Sequence, residues 1–407
     1  MSQNRLSVLK GASIASVVAL LPIGAFASCA ASENEPNVTP DASVRFEAGP
    51  ETDGSLEAGC EGTEAGCPLT CAEAPWCPVP VELSPYTTLM AVWGSGKDDV
   101  WAVGSAATIV HWDGASWTTI PFSAPITNTF YTVWGSGPKD VWFASSTDAL
   151  FHAGGFAGAT TKLQKIDTPL PYDMHVPVRR IWGTSAAQIM LATHRYELPV
   201  GDDLVTGNLL RRGAPDAGAT EWSPVPGTEN VLAIWGTSFD DIWVTADGSA
   251  GSEGWKVAMS YHGKAGPDGQ LEWTLVDSRS RAALRALWGS SANDIWAVGD
   301  VGVIRRVTDA TQSEWTSIES PTREDLHGLW GSAADDIWAV GATGTIIHYD
   351  GKDWREVVAA FPSADKPDLY GVWGSARNDV WIVGDGIVLH YDGRPLETSA
   401  PDAGGGR

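Results

Sequence analysis

Between residues 76 and 393 the chain is a succession of short apolar runs broken by Gly, Asp, Asn and Ser. One stretch shows the pattern in full. Residues 326–332, 336–341, 344–351 and 354–357 are four runs rich in β-branched and aromatic residues, with turn-forming residues between them. Runs of this length with hairpin punctuation predict antiparallel strands, and the 3.6-residue period of a helix is absent.

The runs recur. A Trp-Gly-Ser/Thr triplet begins at Trp93, Trp134, Trp182, Trp235, Trp288, Trp330 and Trp373, at spacings of 41, 48, 53, 53, 42 and 43 residues. Eight residues after the first Trp stands a second: Trp101, Trp142, Trp243, Trp296, Trp338 and Trp381, with Met190 in the third copy. Two positions before these stand Asp99, Asp140, Asp241, Asp294, Asp336 and Asp379, with Gln188 in the third copy. Periods of this size belong to propellers rather than to helical solenoids. The pattern predicts an all-β fold, a seven-bladed β-propeller of four-stranded antiparallel blades. A single blade cannot bury both its faces, so the blades must stack in a ring. The Trp residues are then the wedges between blades, each able to bury on the order of 150–250 Å².

The seventh copy ends at Gly393 without a closing Trp strand. Trp76 precedes Trp93 by 17 residues, as Trp117 precedes Trp134. An N-terminal strand near Trp76 is therefore predicted to be the outer strand of the last blade and to close the ring.

The consensus W-G-S-x-x-x-D-V/I-W-A-V-G…G-T-I-x-H-W/Y-D-G-x-x-W resembles the Trp-rich propeller repeats of bacterial lipoproteins and is similar to tectonin-type repeats. The match covers residues 76–393 and is best in the first, sixth and seventh copies. The tectonin resemblance implies glycan binding. The matching residues are the structural ones, however, so the resemblance speaks to the scaffold before the ligand.

Residues 1–28 read as a signal peptide: a basic start (Arg5, Lys10), an apolar stretch too short to span a bilayer, and Ala25-Phe26-Ala27 as a cleavage site. Phe26-Ala27-Ser28-Cys29 resembles a lipobox, which would make Cys29 the lipidated first residue. Cleavage after Ala27 to give a freely secreted protein is the alternative. Residues 29–75 read as an acidic disordered tether. Between residues 30 and 75 there are ten acidic residues and one basic, Arg45, too little apolar surface to offset the entropy of ordering. Cys60, Cys67, Cys71 and Cys77 form an even set, expected to make two disulfides of undetermined pairing in an exported protein. Zinc is disfavoured because tight C-x-x-C spacing and nearby His are missing. Residues 394–407 read as a flexible tail. The expected location is the cell envelope, as an outer-membrane lipoprotein or secreted, with the membrane met only through the lipid.

The formal charge, 26 basic against 50 acidic residues, is −24. That balance excludes a nucleic-acid groove, which needs a basic stripe. No cofactor or metal is implied, and the chain is expected to be a monomer. The recurrent His111, His152, His262, His348 and His390 read as scaffold, and the Asp before each Val/Ile-Trp reads as a turn cap. A sialidase-like hydrolase is the leading catalytic alternative. Yet Asp113-Gly-Ala-Ser-Trp117 is one residue short of an Asp-box and lacks its upstream Ser. Arg179, Arg180, Arg195, Arg211, Arg212, Arg305 and Arg306 show no spacing that singles out a carboxylate clamp, and Asp202, Asp203 and Glu253 are carboxylates that an acidic chain pairs by chance. The chain is thus read as a binding or scaffold module rather than an enzyme, with a structural envelope component as the alternative. Function should lie where the repeats differ. The third and fourth copies carry insertions, and Arg195, Tyr196, Asp202, Asp203 and Trp255 within them are the candidate ligand-binding residues. A cluster of solvent-facing aromatics on that face would favour glycan, and an apolar patch would favour protein.

Overall fold

Each Trp-Gly-Ser/Thr triplet lies on the first strand of a four-stranded antiparallel sheet, and there are seven such sheets. The computed structural model describes residues 69–396, apart from 123–127, 146–149, 171–175, 201–202, 214–220, 229, 251–254 and 364. The signal and lipidation segment with Cys29, most of the proposed tether with Cys60 and Cys67, and residues 397–407 lie outside them.

Blade 1 comprises β2 (Leu89–Gly96), β3 (Asp99–Gly104), β4 (Ile109–Trp112) and β5 (Trp117–Thr119). Blades 2 to 6 repeat this order with β6–β9 (first strand Phe130–Gly137), β10–β13 (Val178–Ser185), β14–β17 (Val231–Ser238), β18–β21 (Leu284–Ser291) and β22–β25 (Leu326–Ala333). Blade 7 is β26 (Leu369–Ala376), β27 (Asp379–Gly384) and β28 (Ile387–Tyr391), completed by β1 (Trp76–Pro78). The closure expected from the 17-residue spacing is thus present: Trp76 pairs with Tyr391 and Cys77 with His390. Cys77 is disulfide-bonded to Cys71, which ties the start of the described chain to the closing strand.

The first strands of successive blades lie side by side round a central axis. Second strands are buried almost throughout, because sheets cover both of their faces. The ring locks through two sets of tryptophans. The triplet Trp of each blade packs on the triplet Gly of the next. A Cβ built on Gly94, Gly135, Gly183, Gly236, Gly289, Gly331 or Gly374 would lie only 2.5 to 3.1 Å from the ring of the preceding blade's Trp, and Trp373 meets Gly94 to close the circle. Only glycine permits that approach. Further out, tryptophans on the fourth strand, or immediately before it in the case of Trp315, stand edge-on to second-strand tryptophans of the preceding blade. Trp76 meets Trp338, Trp117 meets Trp381, Trp315 meets Trp243 and Trp354 meets Trp296, with centroids 5.1 to 5.7 Å apart. This edge-to-face geometry adds to the area each ring buries.

The insertions of the third and fourth copies are not loops, as the sequence suggested, but extended hairpins. In blade 3, β11 (Gln188–Val200) and β12 (Asp203–Arg212) stay paired to Val200↔Asp203. In blade 4, β15 (Asp241–Ala250) and β16 (Trp255–Ala265) stay paired to Ala250↔Trp255. Continuing the ladder gives the added backbone N–H and C=O groups partners that an irregular excursion would leave to water.

Candidate functional site

The strand order gives the ring two unlike faces. First strands end, second strands begin and third-to-fourth turns form on one of them, where the repeats agree. The opposite face carries the turns between second and third strands, the crossovers between blades and both extended hairpins.

On the uniform face the repeated Asp is not a cap for backbone N–H groups, as its position suggested. Its bonds go to side chains. Asp99 Oδ1 accepts from His111 Nε2 at 2.6 Å and Trp101 Nε1 at 3.2 Å, and Oδ2 accepts from Ser95 Oγ at 2.5 Å. His152 bonds Asp140 at 2.9 Å, and His262–Asp241, His348–Asp336 and His390–Asp379 each lie at 2.7 Å. Blade 5 substitutes Arg306, which holds Asp294 through Nε and Nη2. Blade 3 loses both partners. Gln188 bonds Thr184, and Arg211, in the His register, reaches across to Asp240 of blade 4 at 3.0 Å and stacks on Phe239. Each recurrent His thus ties the third strand to the second, a scaffold role. Asp113 receives the backbone N–H groups of Ala115 and Ser116, which makes it part of a hairpin turn.

Burial opposes the ionised form of Asp99, Asp336 and Asp379, but the bonds from His and Ser outweigh it, and each carboxyl is held below its ordinary 3.8. A depressed carboxyl contributes stability above its unfolded-state value and loses that contribution as pH falls through its folded value. Melting temperature should therefore hold from neutrality to about pH 4 and fall below it. Asp336→Asn should be less stable than the parent at pH 7, with the gap narrowing as pH drops. Melts followed by tryptophan fluorescence would test this, and a pH-independent gap would rule it out.

The variable face is built differently. Every first strand has a bulge between its first and third residues. The bulged residues are Met90, Tyr131, Arg179, Leu232, Arg285, His327 and Tyr370, and all seven are half-exposed at the mouth of the central channel. A frame that otherwise repeats Leu/Val/Phe-x-x-Val/Ile/Leu-Trp-Gly thus presents seven side chains of five kinds, two Arg, two Tyr, one His, one Met and one Leu. His327 and Tyr370 stack at 5.1 Å, and the His327 ring donates to the carbonyl of Leu369 at 3.0 Å. Burial, then Asp385 and Asp368, push the Tyr370 hydroxyl up to about 12. Arg285 is gripped by both oxygens of Asp300. Arg179 Nε donates to His194 Nε2 at 2.7 Å, and burial followed by Arg179 lowers the pKa of that imidazole. Below this ring the channel is a cavity of about 200 Å³ into which Arg180 projects.

Two further features mark this face. Val301 and Thr343, in the second-to-third turns of blades 5 and 6, have φ of 51° and 52°, a conformation costly for β-branched residues. Their N–H groups bond Asp325 and Asp368 of the following blades. Tyr86, in the stretch before the first strand of blade 1, Leu275, at the end of the fourth strand of blade 4 (Leu271–Leu275), and Val301, in its turn, are exposed at 91%, 56% and 62% and also stand here. Among the sequence-based candidates, Arg195, Tyr196, Asp203 and Trp255 fall on the backbone of the two hairpins, with side chains outside the described residues. Asp202 lies outside them altogether. The candidates sit on two separate arms of adjacent blades. The channel ring went unnoticed in the sequence, although two variable positions inside an otherwise fixed frame were its signal.

Fold and site together define a seven-bladed β-propeller with one uniform and one diversified face. No family model matches the chain, and neither does any curated protein. Among solved structures it is similar to YCF48 bound to D1 peptide, at 16% identity over 80% of this chain and 97% of that one, with a TM-score of 0.58. It is also similar to YCF48 from Cyanidioschyzon merolae, at 15% identity over 78% and 98% of the two chains, with a TM-score of 0.56. A third likeness is to the WD40 β-propeller domain of Doa1, at 11% over 81% and 98%, with a TM-score of 0.55. At these identities the likeness is one of fold.

Proposed function

We propose that this chain is an exported, lipid-anchored binding propeller that engages a protein partner with its diversified face and performs no catalysis. The observation that carries the reading is the asymmetry of the ring. Structural chemistry repeats on one face, while the seven-residue channel ring, the strained turns, the two hairpins and the exposed apolar side chains gather on the other. Tyr86 is the one aromatic among the large exposed apolar residues described, in the company of Leu275 and Val301. That composition favours a protein surface over a stacking platform for sugars. The solved YCF48–peptide complex supports a protein partner in the general sense that a propeller of this fold accommodates a peptide. Cys29 would carry the lipid, residues 29–75 would be the tether and residues 76–393 the displayed ring. The test places a photo-cross-linking residue at Tyr86 on one face, or at Asp98 on the other, in the full-length chain expressed in its cells. A protein adduct in the envelope fraction is expected from Tyr86.

A further inference from the structure

The third residues of the inner strands form a second ring, one step deeper in the channel: Ala91, Thr132, Arg180, Ala233, Ala286, Gly328 and Gly371. Six are small. The seventh is a guanidinium set inside a protein of net charge −24. Arg180 is half-buried and keeps part of its surface open to the channel cavity that it helps to line. It donates to the carbonyl of Arg179 at 3.0 Å and, across the channel, to that of Arg285 at 3.5 Å. Neither acceptor carries charge, and among the described residues Arg180 makes no ion pair. Burial first, then the neighbouring Arg179 and Arg285, lower its pKa to about 10. Asp300 answers the charge of Arg285, whereas no carboxylate among the described residues pairs with that of Arg180. A guanidinium has five N–H donors in a fork that fits a carboxylate bidentately, and two carbonyl bonds leave part of it unused. The ring above supplies walls: Tyr131, over which Arg179 lies at 5.4 Å, and the stacked pair His327 and Tyr370.

We propose that the channel is a carboxylate site, in which Arg180 takes the terminal or side-chain carboxylate of a partner polypeptide inserted along the axis from the diversified face. The proposal rests on the reading of the chain as a protein-binding module and names the chemistry of its ligand. The small ring residues set the bore: about 200 Å³ holds the end of one chain and excludes a branched glycan. An acidic exterior keeps acidic segments away except where this cation lies, which serves selectivity more than affinity.

The experiment probes the full chain against a dodecapeptide array printed with free carboxyl ends, the same peptides as amides, and the same with internal Asp and Glu changed to Asn and Gln. Oligoglucuronates are spotted beside them. Free carboxyl ends or acidic side chains are expected to be required, and the two modified sets tell which. Affinity for the best peptide, measured by fluorescence anisotropy, should fall about 10- to 100-fold in Arg180→Gln. It should fall less in Arg180→Lys, which keeps the charge without the fork. Arg305→Gln, which removes an arginine bonded to the carbonyls of Ser278 and Arg279 in the crossover from blade 4 to blade 5, outside the channel, should leave it unchanged. Melting curves confirm that each variant is folded. Neutral peptides bound as well as acidic ones, an Arg180→Gln protein that binds at parental strength, Arg180-dependent binding of oligoglucuronate alone, or no peptide bound at all would each overturn the proposal. In the first two cases the chain would still be a protein-binding module. In the last two, cross-linking from Tyr86 decides separately whether it is one.

Discussion

Trp76→Ala should cost the fold about 3–5 kcal/mol, as large a loss as any single truncation in the ring. The residue is fully buried although it lies only seven positions from the start of the described chain. Its indole stands edge-on to Trp338 of blade 6 at 5.1 Å and against Tyr391 of blade 7 at 5.5 Å. Its carbonyl accepts the N–H of Ala360 at 2.9 Å. The truncation therefore leaves a cavity between two blades and loosens the strand that closes the ring, which exposes the edge of β28. Trp117, at the equivalent place in blade 1, is only half-buried and held at both ends by continuous chain, so Trp117→Ala should cost less. Guanidinium unfolding followed by fluorescence compares the two. A cost for Trp76→Ala below about 1 kcal/mol would mean that the N-terminal strand does not close the ring.

Gly135→Val should be comparably damaging, by about 3 kcal/mol or more. A Cβ there would sit 2.5 Å from the ring of Trp93 and 2.4 Å from the carbonyl oxygen of Asp140. The first contact would drive blades 1 and 2 apart and the second would break the ladder between β6 and the second strand of blade 2 (Asp140–Ser145), so neither can relax by a side-chain rotation alone. Gly137, two residues along the same strand, has no atom within 4 Å of the place a Cβ would take. Gly137→Ala should therefore be neutral to within about 0.5 kcal/mol. Thermal melts of the two variants side by side separate steric exclusion from a general intolerance of this hairpin. Equal melting temperatures would contradict the wedge.

The architecture was legible because its determinants are local and repeated. Alternation within each run gives strands, the triplet spacing gives seven blades, and the shared 17-residue offset of Trp76 and Trp117 gives the closure. What escaped depends on register. His111 meets Asp99 because Trp101 pairs with His111 across β3 and β4, which places the imidazole beside a carboxylate 12 residues back. The joint replacement of Asp by Gln188 and of His by Arg211 in one blade is the trace that pairing leaves in the sequence. The hairpin of blade 3 looked like a loop because Pro199 and Gly201 punctuate it, yet Pro199 is accommodated within the extended ladder, paired with Leu204. Arg180 looked like any of several arginines. Its significance comes from six small residues on other blades at the same level, a comparison that only the ring supplies.

The central claim is that the diversified face is the binding face, and photo-cross-linking from both faces of the intact chain tests it most directly. Protein adducts from Tyr86 but not from Asp98, lost when residues 196–206 and 249–256 are replaced by short turns, are the expected result. Adducts from Asp98 that persist when the hairpins are removed would contradict it and move the site to the uniform face.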